Sequence, residues 1–338
     1  MPVERTSGEK ERLLEVKDLH VSFFTPAGEV HAVNGVSYHV DKEEVVAIVG
    51  ESGCGKSVTQ MSVIQLIQTP PGKIMSGEVL FEGKDLLKLD RNSKEMRGYR
   101  GSEISMIFQE PMTSLNPIFT IGKQMTDIIR THQNVSKKEA VEIAVKALEA
   151  VGIPEPAARM KNYPFELSGG MRQRVLIAFS VACHARLIIA DEPTTALDVT
   201  TQAQVMEVLL GIVRTYKSSL VVVTHNLGLV SRYADRIYVM YAGRVIESGT
   251  TEELLVHPQH PYTKGLLNSV PKLDDDKNSE LEPIDGTPPN LLEYPEHCAF
   301  APRCPMVCEQ CRTQGQPELR HVAGHYVACH VIGEEVQK

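Results

Sequence analysis

The sequence predicts an α/β protein built on a parallel sheet, and two features of the chain support this. Three short apolar runs lie at residues 45–49, 187–190 and 220–223. A continuous apolar run of this length is typical of a parallel strand that is covered on both faces. Helical patterns separate the runs, as expected when a helix connects each parallel strand to the next.

An antiparallel β part is predicted beside this core. Apolar residues between positions 14 and 23 are spaced mostly by two, and a second apolar stretch begins at Val30 after a Pro26–Gly28 turn. Such alternation is typical of strands with one buried face. Further along, Ile237 to Gly249 has the pattern of a hairpin that turns near Ala242-Gly243.

Between the strands, a helical insert is predicted at about residues 111–170. Ser136 and Glu139 have the spacing of a capping box at a helix start. The apolar residues that follow share one helical face and are Val141, Ala144, Ala147, Leu148 and Val151.

The last part of the chain differs in composition from the rest. At ~150 residues per domain, 338 residues suggest two domains. We place the nucleotide-binding domain at 1–255 and a C-terminal extension at 256–338. Within the extension, residues 272–295 are rich in Asp, Glu and Pro and predict a linker. A small cysteine-rich segment follows at 297–330.

Composition excludes several classes of protein. Hydrophobic residues make up 42% and charged residues 23%, which excludes a wholly disordered chain. A formal net charge of −8 argues against a protein that binds nucleic acid. No run approaches the ~20 apolar residues that span a bilayer, and the charged start lacks the core of a signal peptide. We therefore expect a cytosolic protein, or one held at a membrane by other proteins.

A phosphate loop is predicted directly after the first apolar run. Its residues satisfy G-x-x-x-x-G-K-[ST] and are Gly50, Glu51, Ser52, Gly53, Cys54, Gly55, Lys56 and Ser57. Val58 opens the amphipathic stretch that follows, so the loop stands before a helix N-terminus, which favours anions. Lys56 is placed to neutralise the β- and γ-phosphates, and the Ser57 hydroxyl to bind Mg²⁺. Cys54 is expected to act through its backbone N–H.

A second acidic element follows the 187–190 run. Asp191 at the end of a buried strand can hold Mg²⁺ through water, and the adjacent Glu192 can polarise an attacking water as a general base. Together with the phosphate loop, this pair indicates nucleotide hydrolysis.

Further segments resemble the ABC (ATP-binding cassette) ATPases, and the resemblance spans about residues 12 to 255. Leu167–Arg174, with Ser168-Gly169-Gly170, resembles the signature motif, and Thr195–Asp198 resembles the D-loop. Gln109 resembles the Q-loop glutamine, and His225 resembles the switch histidine. The family fold has an antiparallel β subdomain and a helical insert on a phosphate-loop core. Glu43 departs from the family, which usually has glycine there.

The resemblance implies a role for each matching residue. Two cassettes would enclose two ATP molecules, with Ser168, Gly169, Gly170 and Asp198 facing the partner's nucleotide. Gln109 would sense Mg²⁺ and the attacking water, and His225 would contact the γ-phosphate. Phe23, or with less support Phe24, would stack on adenine, although Phe23 equally suits a strand core.

A narrower resemblance is to the ATPases of oligopeptide/dipeptide importers. It rests on four segments: Ile48–Gly53, Phe108–Pro117, Asp191–Val199 and His260–Leu267. It implies a peripheral subunit on the cytoplasmic face of the cell membrane. Its partners would be a second, paralogous ATPase subunit, two membrane permeases and an extracytoplasmic peptide-binding protein. An importer of nickel or another small solute is the alternative, and a nucleic-acid-linked ABC ATPase is a more distant one.

The cysteine-rich segment predicts a metal site. Of the seven cysteines, five lie between residues 298 and 329, and a reducing compartment disfavours disulfides. Four thiolates suit zinc or an iron–sulfur cluster, with His297, His325 and His330 as substitute zinc ligands. In the importer subfamily, this pattern resembles the ligand set of a [4Fe–4S] cluster, which here would be Cys298, Cys304, Cys311 and Cys329. Cys308 would then be spare, and Zn²⁺ remains the alternative.

Overall fold

The structure is a computed structural model that describes residues 11–195, 197–269 and 284–332. Part of the predicted linker, residues 272–283, lies outside this range, as does Ala196 of the D-loop segment. No helix in the described part of the chain is long and apolar enough to cross a bilayer.

Twelve strands are present in the described residues: β1 Arg12–Thr25, β2 Gly28–Asp41, β3 Val45–Val49, β4 Gly72–Phe81, β5 Lys84–Asp85, β6 Ile104–Ile107, β7 Leu187–Asp191, β8 Ser219–Thr224, β9 Arg236–Tyr241, β10 Arg244–Thr250, β11 Arg320–Val322 and β12 His325–Val327.

The same residues contain twelve α-helices: α1 Lys56–Val63, α2 Lys94–Tyr99, α3 Pro111–Ser114, α4 Ile121–His132, α5 Lys137–Ala150, α6 Pro156–Arg159, α7 Gly169–Ala182, α8 Val199–Tyr216, α9 Leu227–Val230, α10 Thr251–Val256, α11 Pro261–Asn268 and α12 Gln310–Thr313. Short 3-10 turns occur at Leu86–Lys88, Pro164–Glu166 and Ala301–Arg303.

The core is a sheet of eight strands in the order β11-β12-β10-β9-β3-β8-β7-β6. The strands from β9 to β6 are parallel, and every residue of β3, β7 and β8 is buried. Since both faces of these strands are covered, an uninterrupted apolar run is the pattern they require. The predicted parallel α/β core is confirmed.

A second sheet, in the order β2-β1-β4-β5, forms the predicted antiparallel β part. Strands β1 and β2 pair antiparallel across a two-residue turn, with Thr25 opposite Gly28. The predicted second hairpin is also present, because β9 and β10 pair with Arg244 opposite Tyr241. Its turn residues, Ala242 and Gly243, both have positive φ, as a two-residue hairpin turn of this type requires.

Helices α3 to α6 occupy the predicted insert. The capping box is present at the start of α5, where the Ser136 and Glu139 side chains each accept from the other's backbone N–H. Four of the five apolar residues assigned to one face are buried, but Val141 is 39% exposed and that assignment is wrong. Ala140, one residue earlier, is buried instead, so the buried face of α5 runs through Ala140 and Ala144 rather than through Val141.

Residues 284–332 return to the nucleotide-binding core. Strand β12 pairs antiparallel with β10, so the cysteine-rich segment extends the central sheet. Residues 284–295 contain no helix or strand, yet Leu291 accepts a backbone hydrogen bond from His31 N at 3.0 Å. The described half of the predicted linker is therefore packed on strand β2.

Candidate functional site

The carboxyl ends of neighbouring parallel strands bring the predicted site together. The phosphate loop follows β3, His225 follows β8, the Asp191-Glu192 pair ends β7, and Gln109 follows β6. These strands are adjacent in the order β3-β8-β7-β6. In open α/β sheets, ligands bind outside this edge of the sheet.

Glycine shapes the phosphate loop where it enters helix α1. Gly55 has φ +95, and a Cβ at this position would lie 2.3 Å from the Ala32 carbonyl oxygen. Any other residue would be strained by the backbone conformation and would clash with strand β2. The tip of the loop, Ser52 and Gly53, is exposed, while Gly50 is buried.

Lys56 is buried and turns back over its own loop. Its Nζ donates to the carbonyl oxygens of Gly50 and Glu51, both at 2.8 Å. Cys54 Sγ lies 3.8 Å from the same Nζ, and burial raises the pKa of this thiol. The expectation that Cys54 acts through its backbone N–H stays a prediction.

Ser57 and Asp191 connect the loop to strand β7. The Ser57 hydroxyl donates to Asp191 Oδ1 at 2.9 Å, and Val58 beside it packs partly into the core. Burial raises the pKa of Asp191, and the Ser57 hydrogen bond acts in the opposite direction. A hydroxyl and a carboxylate are hard oxygen ligands of the kind Mg²⁺ prefers, so these residues fit the predicted ion.

The three residues predicted to be catalytic lie together, with Gln109 and His225 both close to Glu192. Its Oε2 accepts from Gln109 Nε2 at 3.1 Å and lies 3.4 Å from His225 Nδ1. The Thr195 hydroxyl donates to the same oxygen at 2.8 Å, a contact that the sequence did not suggest. The carboxylate is thereby oriented from three sides.

The signature and D-loop residues lie together at a second place. Ser168 caps helix α7 by accepting from Met171 N at 3.3 Å, and Asp198 caps α8 by accepting from Thr201 N at 3.0 Å. Both line a cavity of about 410 Å³ whose other lining residues are Gly169, Gly170, Met171, Arg174, Leu197, Thr201 and Gln204. No residue of the phosphate loop lines this cavity.

The aromatic residues proposed for adenine differ in exposure. Phe23 on β1 is half-buried and packs against the core of the antiparallel sheet, whereas Phe24 is 47% exposed. The assignment of Phe23 as the adenine-stacking residue stays a prediction.

Two residues in contact with the phosphate loop were not predicted. The Arg303 guanidinium pairs with the Glu51 carboxylate, and the Tyr262 hydroxyl accepts from Glu51 N. Tyr262 belongs to the His260–Leu267 segment that resembles the importer ATPases. The sequence thus identifies this segment, but it does not show that Tyr262 contacts the phosphate loop. Arg303 precedes Cys304 directly, and no local pattern connects it with residue 51.

The cysteine-rich segment brings its thiols close to one another. Cys308 Sγ lies 3.5 Å from Cys311 Sγ. Burial raises the pKa of Cys298 to about 11, with smaller contributions from Cys311 and Cys329. Burial likewise raises the pKa of Cys304, which Cys329 and Cys311 also influence.

These thiols are not arranged as ligands in the described part of the chain, where no group of three or more His, Cys, Asp or Glu side chains could hold a metal ion. The contact of Cys311 is with Cys308, which the predicted ligand set omits. The three candidate histidines are engaged elsewhere: His297 with Gln314 O, His325 with Glu247 and His330 with Gly315 O. The [4Fe–4S] ligand set is therefore not confirmed, and neither is zinc.

Two known families match parts of the sequence. Residues 33–195 match the family described as ABC transporter, and residues 246–311 match the family described as oligopeptide/dipeptide transporter, C-terminal region. The first match covers the phosphate loop, the signature residues and the Asp191-Glu192 pair, and the second contains Tyr262 and Arg303.

Curated relatives match nearly the full length. The chain is 50% identical to the oligopeptide transport ATP-binding protein OppD of Bacillus subtilis over 97% of this chain and 91% of the relative. It is 52% identical to the dipeptide transport ATP-binding protein DppD of the same organism, over 89% and 90%.

A solved structure supports the same fold. The dimeric ABC transporter cassette MJ0796 in a post-hydrolysis state, bound to ADP and Pi, is 26% identical and superposes with a TM-score of 0.63. The match covers 71% of this chain and 99% of that cassette. The chain belongs to the oligopeptide/dipeptide transporter branch of the ABC ATPases, the ATP-hydrolysing subunits of ABC transporters.

Proposed function

We propose that this chain hydrolyses ATP at an interface between two cassettes and thereby drives uptake of di- or oligopeptides through separate membrane subunits. The observation that carries the hydrolytic part is the position of Glu192 Oε2, which contacts both Gln109 and His225. The peptide cargo is supported by relatives whose names specify oligopeptide and dipeptide transport.

ATP binding would use the phosphate loop, with Phe23 stacked on the adenine. Lys56 Nζ would exchange the carbonyl oxygens of Gly50 and Glu51 for phosphate oxygens, as an ammonium with three donors can do without moving its stem. Backbone N–H groups from Ser52 to Ser57 would surround the β-phosphate at the start of α1, where the helix dipole favours negative charge.

Mg²⁺ would be held by Ser57, Asp191 and the side-chain oxygen of Gln109. When bound, Mg²⁺ neutralises charge on the β- and γ-phosphates. The hydrogen bond between Ser57 and Asp191 already holds their two oxygen atoms next to each other.

Hydrolysis would proceed by attack of water on the γ-phosphate. Glu192 accepts the proton of that water, and the hydrogen bond from Thr195 keeps the carboxylate in place. His225, whose ring lies beside Glu192, contacts the γ-phosphate and orients the carboxylate. Gln109 connects the site to the helical insert, because α3 begins two residues after it.

The second half of each site would come from a partner cassette. Ser168, Gly169 and Gly170 form the first turn of α7, whose free N–H groups suit a phosphate. These residues line a cavity apart from their own phosphate loop together with Asp198, which is the arrangement that a head-to-tail pair of cassettes requires. We propose a paralogous ATPase subunit as that partner.

The remaining partners follow from the transporter family. We propose two membrane permeases and an extracytoplasmic peptide-binding protein, with this chain bound peripherally at the cytoplasmic face of the membrane. Nucleic acid is not among the proposed partners, since the net charge is −8.

For the cysteine-rich segment we propose a structural [4Fe–4S] cluster held by Cys298, Cys304, Cys311 and Cys329, with Zn²⁺ as the alternative. Support comes from the spacing of these cysteines in the sequence. Since the thiols are not arranged as ligands, the loop Cys304–Cys311 would have to turn Cys311 from Cys308 towards the other three.

The cargo is tested by reconstituting the chain with its membrane subunits and binding protein in liposomes. We expect ATP-dependent accumulation of a labelled di- or oligopeptide, and stimulation of ATP hydrolysis by the peptide-loaded binding protein. Accumulation of a nickel chelate without any peptide uptake would instead support the nickel importer.

A further inference from the structure

The side chain of Glu51 joins the phosphate loop to the cysteine-rich segment. Arg303 Nη1 donates to Glu51 Oε2 at 2.7 Å, and Nη2 donates to Oε1 at 2.9 Å. This is the bidentate geometry of a strong charge-assisted pair. The Arg303 side chain is 4% exposed, so solvent screens the pair little on that side.

Arg303 is itself fixed by several other contacts. Its Nε donates to Asp285 O at 2.9 Å and its Nη2 to Ile284 O at 3.1 Å. Its Nη1 lies 3.4 Å from the Tyr241 hydroxyl at the end of β9. Because backbone and strand groups hold the guanidinium, the position of Glu51 depends on Arg303 rather than the reverse.

The backbone of Glu51 is held from the same side. Glu51 N donates to the Tyr262 hydroxyl at 2.9 Å. Tyr262 on α11 is fully buried, and its ring contacts Tyr241 at 4.7 Å and Phe300 at 5.5 Å between centroids. Phe300 comes from the turn that leads to Arg303, so one aromatic cluster supports both contacts to the loop.

Glu51 also contacts the lysine that is proposed to bind phosphate. Its carbonyl oxygen accepts from Lys56 Nζ at 2.8 Å. Carboxylate, amide and carbonyl of one residue are therefore bound to Arg303, Tyr262 and Lys56. ATP would replace the Lys56 contact, whereas the contacts to Arg303 and Tyr262 can remain in place. A loop whose backbone is already ordered by such contacts loses less conformational entropy when a ligand arrives.

We propose that Arg303 is a positioning residue for the phosphate loop, so that the folded cysteine-rich segment raises the affinity of this chain for ATP. Arg303 also neutralises the carboxylate of Glu51, which would otherwise repel a triphosphate. The cysteine-rich segment reaches the phosphate loop directly through Arg303. This residue lies in the turn between Cys298 and Cys304, which is closed by backbone hydrogen bonds from Ala301 N to Cys298 O and from Cys304 N to Ala301 O. The proposal rests on ATP binding at this loop, as proposed above.

The test compares ATP binding by full-length wild type, Arg303→Met and Arg303→Lys. Methionine keeps much of the aliphatic packing but removes the charge, and lysine keeps the charge but not the fork of donors. Arg312→Met is the matched control, since Arg312 is an exposed arginine of the same segment. The readouts are the Kd for ATP by calorimetry, KM and kcat of hydrolysis, and Tm.

We expect Arg303→Met to raise both Kd and KM by about tenfold while kcat at saturating ATP stays within about twofold. Arg303→Lys should lie between it and wild type, and Arg312→Met should match wild type. A chain that is merely less well folded would lose kcat in proportion to the unfolded fraction. Equal Kd values for wild type and Arg303→Met, or an equal loss in Arg312→Met, would overturn the proposal.

A double-mutant cycle with Glu51→Gln tests the route. If Arg303 acts through the Glu51 carboxylate, Arg303→Met should change Kd by less than about twofold in the Glu51→Gln background. An undiminished tenfold effect there refutes the route. Should Arg303→Met fail to fold, Arg303→Lys decides, because it keeps the charge but loses the pair of parallel hydrogen bonds to the Glu51 carboxylate; a Kd equal to that of wild type then counts against the proposal.

The outcome also separates this inference from the proposed function. A wild-type chain that binds no ATP contradicts both. A wild-type chain that binds and hydrolyses ATP, with Arg303→Met behaving identically, leaves the ATPase function intact and removes only the role of Arg303.

Discussion

The Ser57 hydroxyl donates a hydrogen bond to Asp191 Oδ1 at 2.9 Å, although the two residues lie 134 positions apart in the sequence. The contact is possible because β3 and β7 are both neighbours of β8, so that their carboxyl ends open onto the same edge of the sheet. It places a hydroxyl and a carboxylate where a divalent cation and a phosphate can meet.

The burial of Asp191 predicts a conflict between stability and activity. Because burial raises the pKa of this carboxyl in the folded state, its charge opposes folding at pH 7. We expect Asp191→Asn to raise Tm by a few degrees at pH 7 and to abolish most Mg²⁺-dependent hydrolysis. The gain in Tm should shrink as the pH falls through the raised pKa, and vanish below the ordinary value of 3.8.

Asp198→Asn provides the control for that experiment. Hydrogen bonds from Thr201 lower the pKa of Asp198, so its charge stabilises the fold above the ordinary aspartate pKa and loses this effect as the pH falls. Asp198→Asn should therefore give no gain in Tm at pH 7. Thermal melts of both variants between about pH 8 and 3 would expose a wrong sign for either residue.

Glu43 predicts a stabilising substitution. This residue is exposed and has φ +57, a left-handed conformation that costs a non-glycine residue about 1 kcal/mol. Glu43→Gly should raise the free energy of unfolding by about that amount. Glu142→Gly, in the exposed middle of α5, should instead lower it by about 1 kcal/mol. Denaturant titrations in which the two substitutions have the same sign would disprove the strain at Glu43.

The two-cassette site predicts a defect that acts across the dimer. In Ser168→Arg, a bulky cation replaces the cap of α7 at the surface proposed to meet the partner's ATP. The test uses mixed dimers of two copies of this chain in place of the paralogous pair, with Ser168→Arg in one copy and Glu192→Gln in the other. Either one site or both would be inactive, depending on which subunit completes each site. We expect one site to fail through both changes and the other to keep hydrolysing at about half the total rate.

The proposed ligand set predicts that Cys298 is needed for metal binding and that Cys308 is not. After anaerobic purification, we expect iron and acid-labile sulfide with a brown absorption band, lost in Cys298→Ser and retained in Cys308→Ser. If the protein instead contains stoichiometric zinc and is colourless, the segment is a zinc site rather than an iron–sulfur site. Iron, sulfide and zinc all absent from the wild type would contradict both metal assignments.

How far the sequence predicts this molecule depends on how local each feature is. Strands β3, β7 and β8 and the phosphate loop are encoded in short contiguous patterns, and the Ser136–Glu139 capping box is a four-residue signal. Arg303 and Glu51 lie 252 positions apart, so no local pattern can reveal their ion pair.

Some elements gave no usable pattern at all. Strands β11 and β12 have three residues each, too few for a period. The buried His325–Glu247 pair joins β12 to β10, with Nε2 and Oε1 at 2.8 Å, and β11 pairs with β12. In the sequence alone, a histidine with such a distant partner cannot be told from a metal ligand, so the sequence offers His325 as a candidate zinc ligand.

The assignment of Glu192 as general base is the central claim, and Glu192→Gln tests it most directly. The amide keeps the size of the side chain but cannot take a proton from water, so ATP should bind with unchanged affinity while turnover falls by a factor of about 100 or more. The variant should accumulate as an ATP-bound dimer, detected by size-exclusion chromatography with light scattering. Turnover at the wild-type rate, with no ATP-dependent dimer, would contradict the assignment.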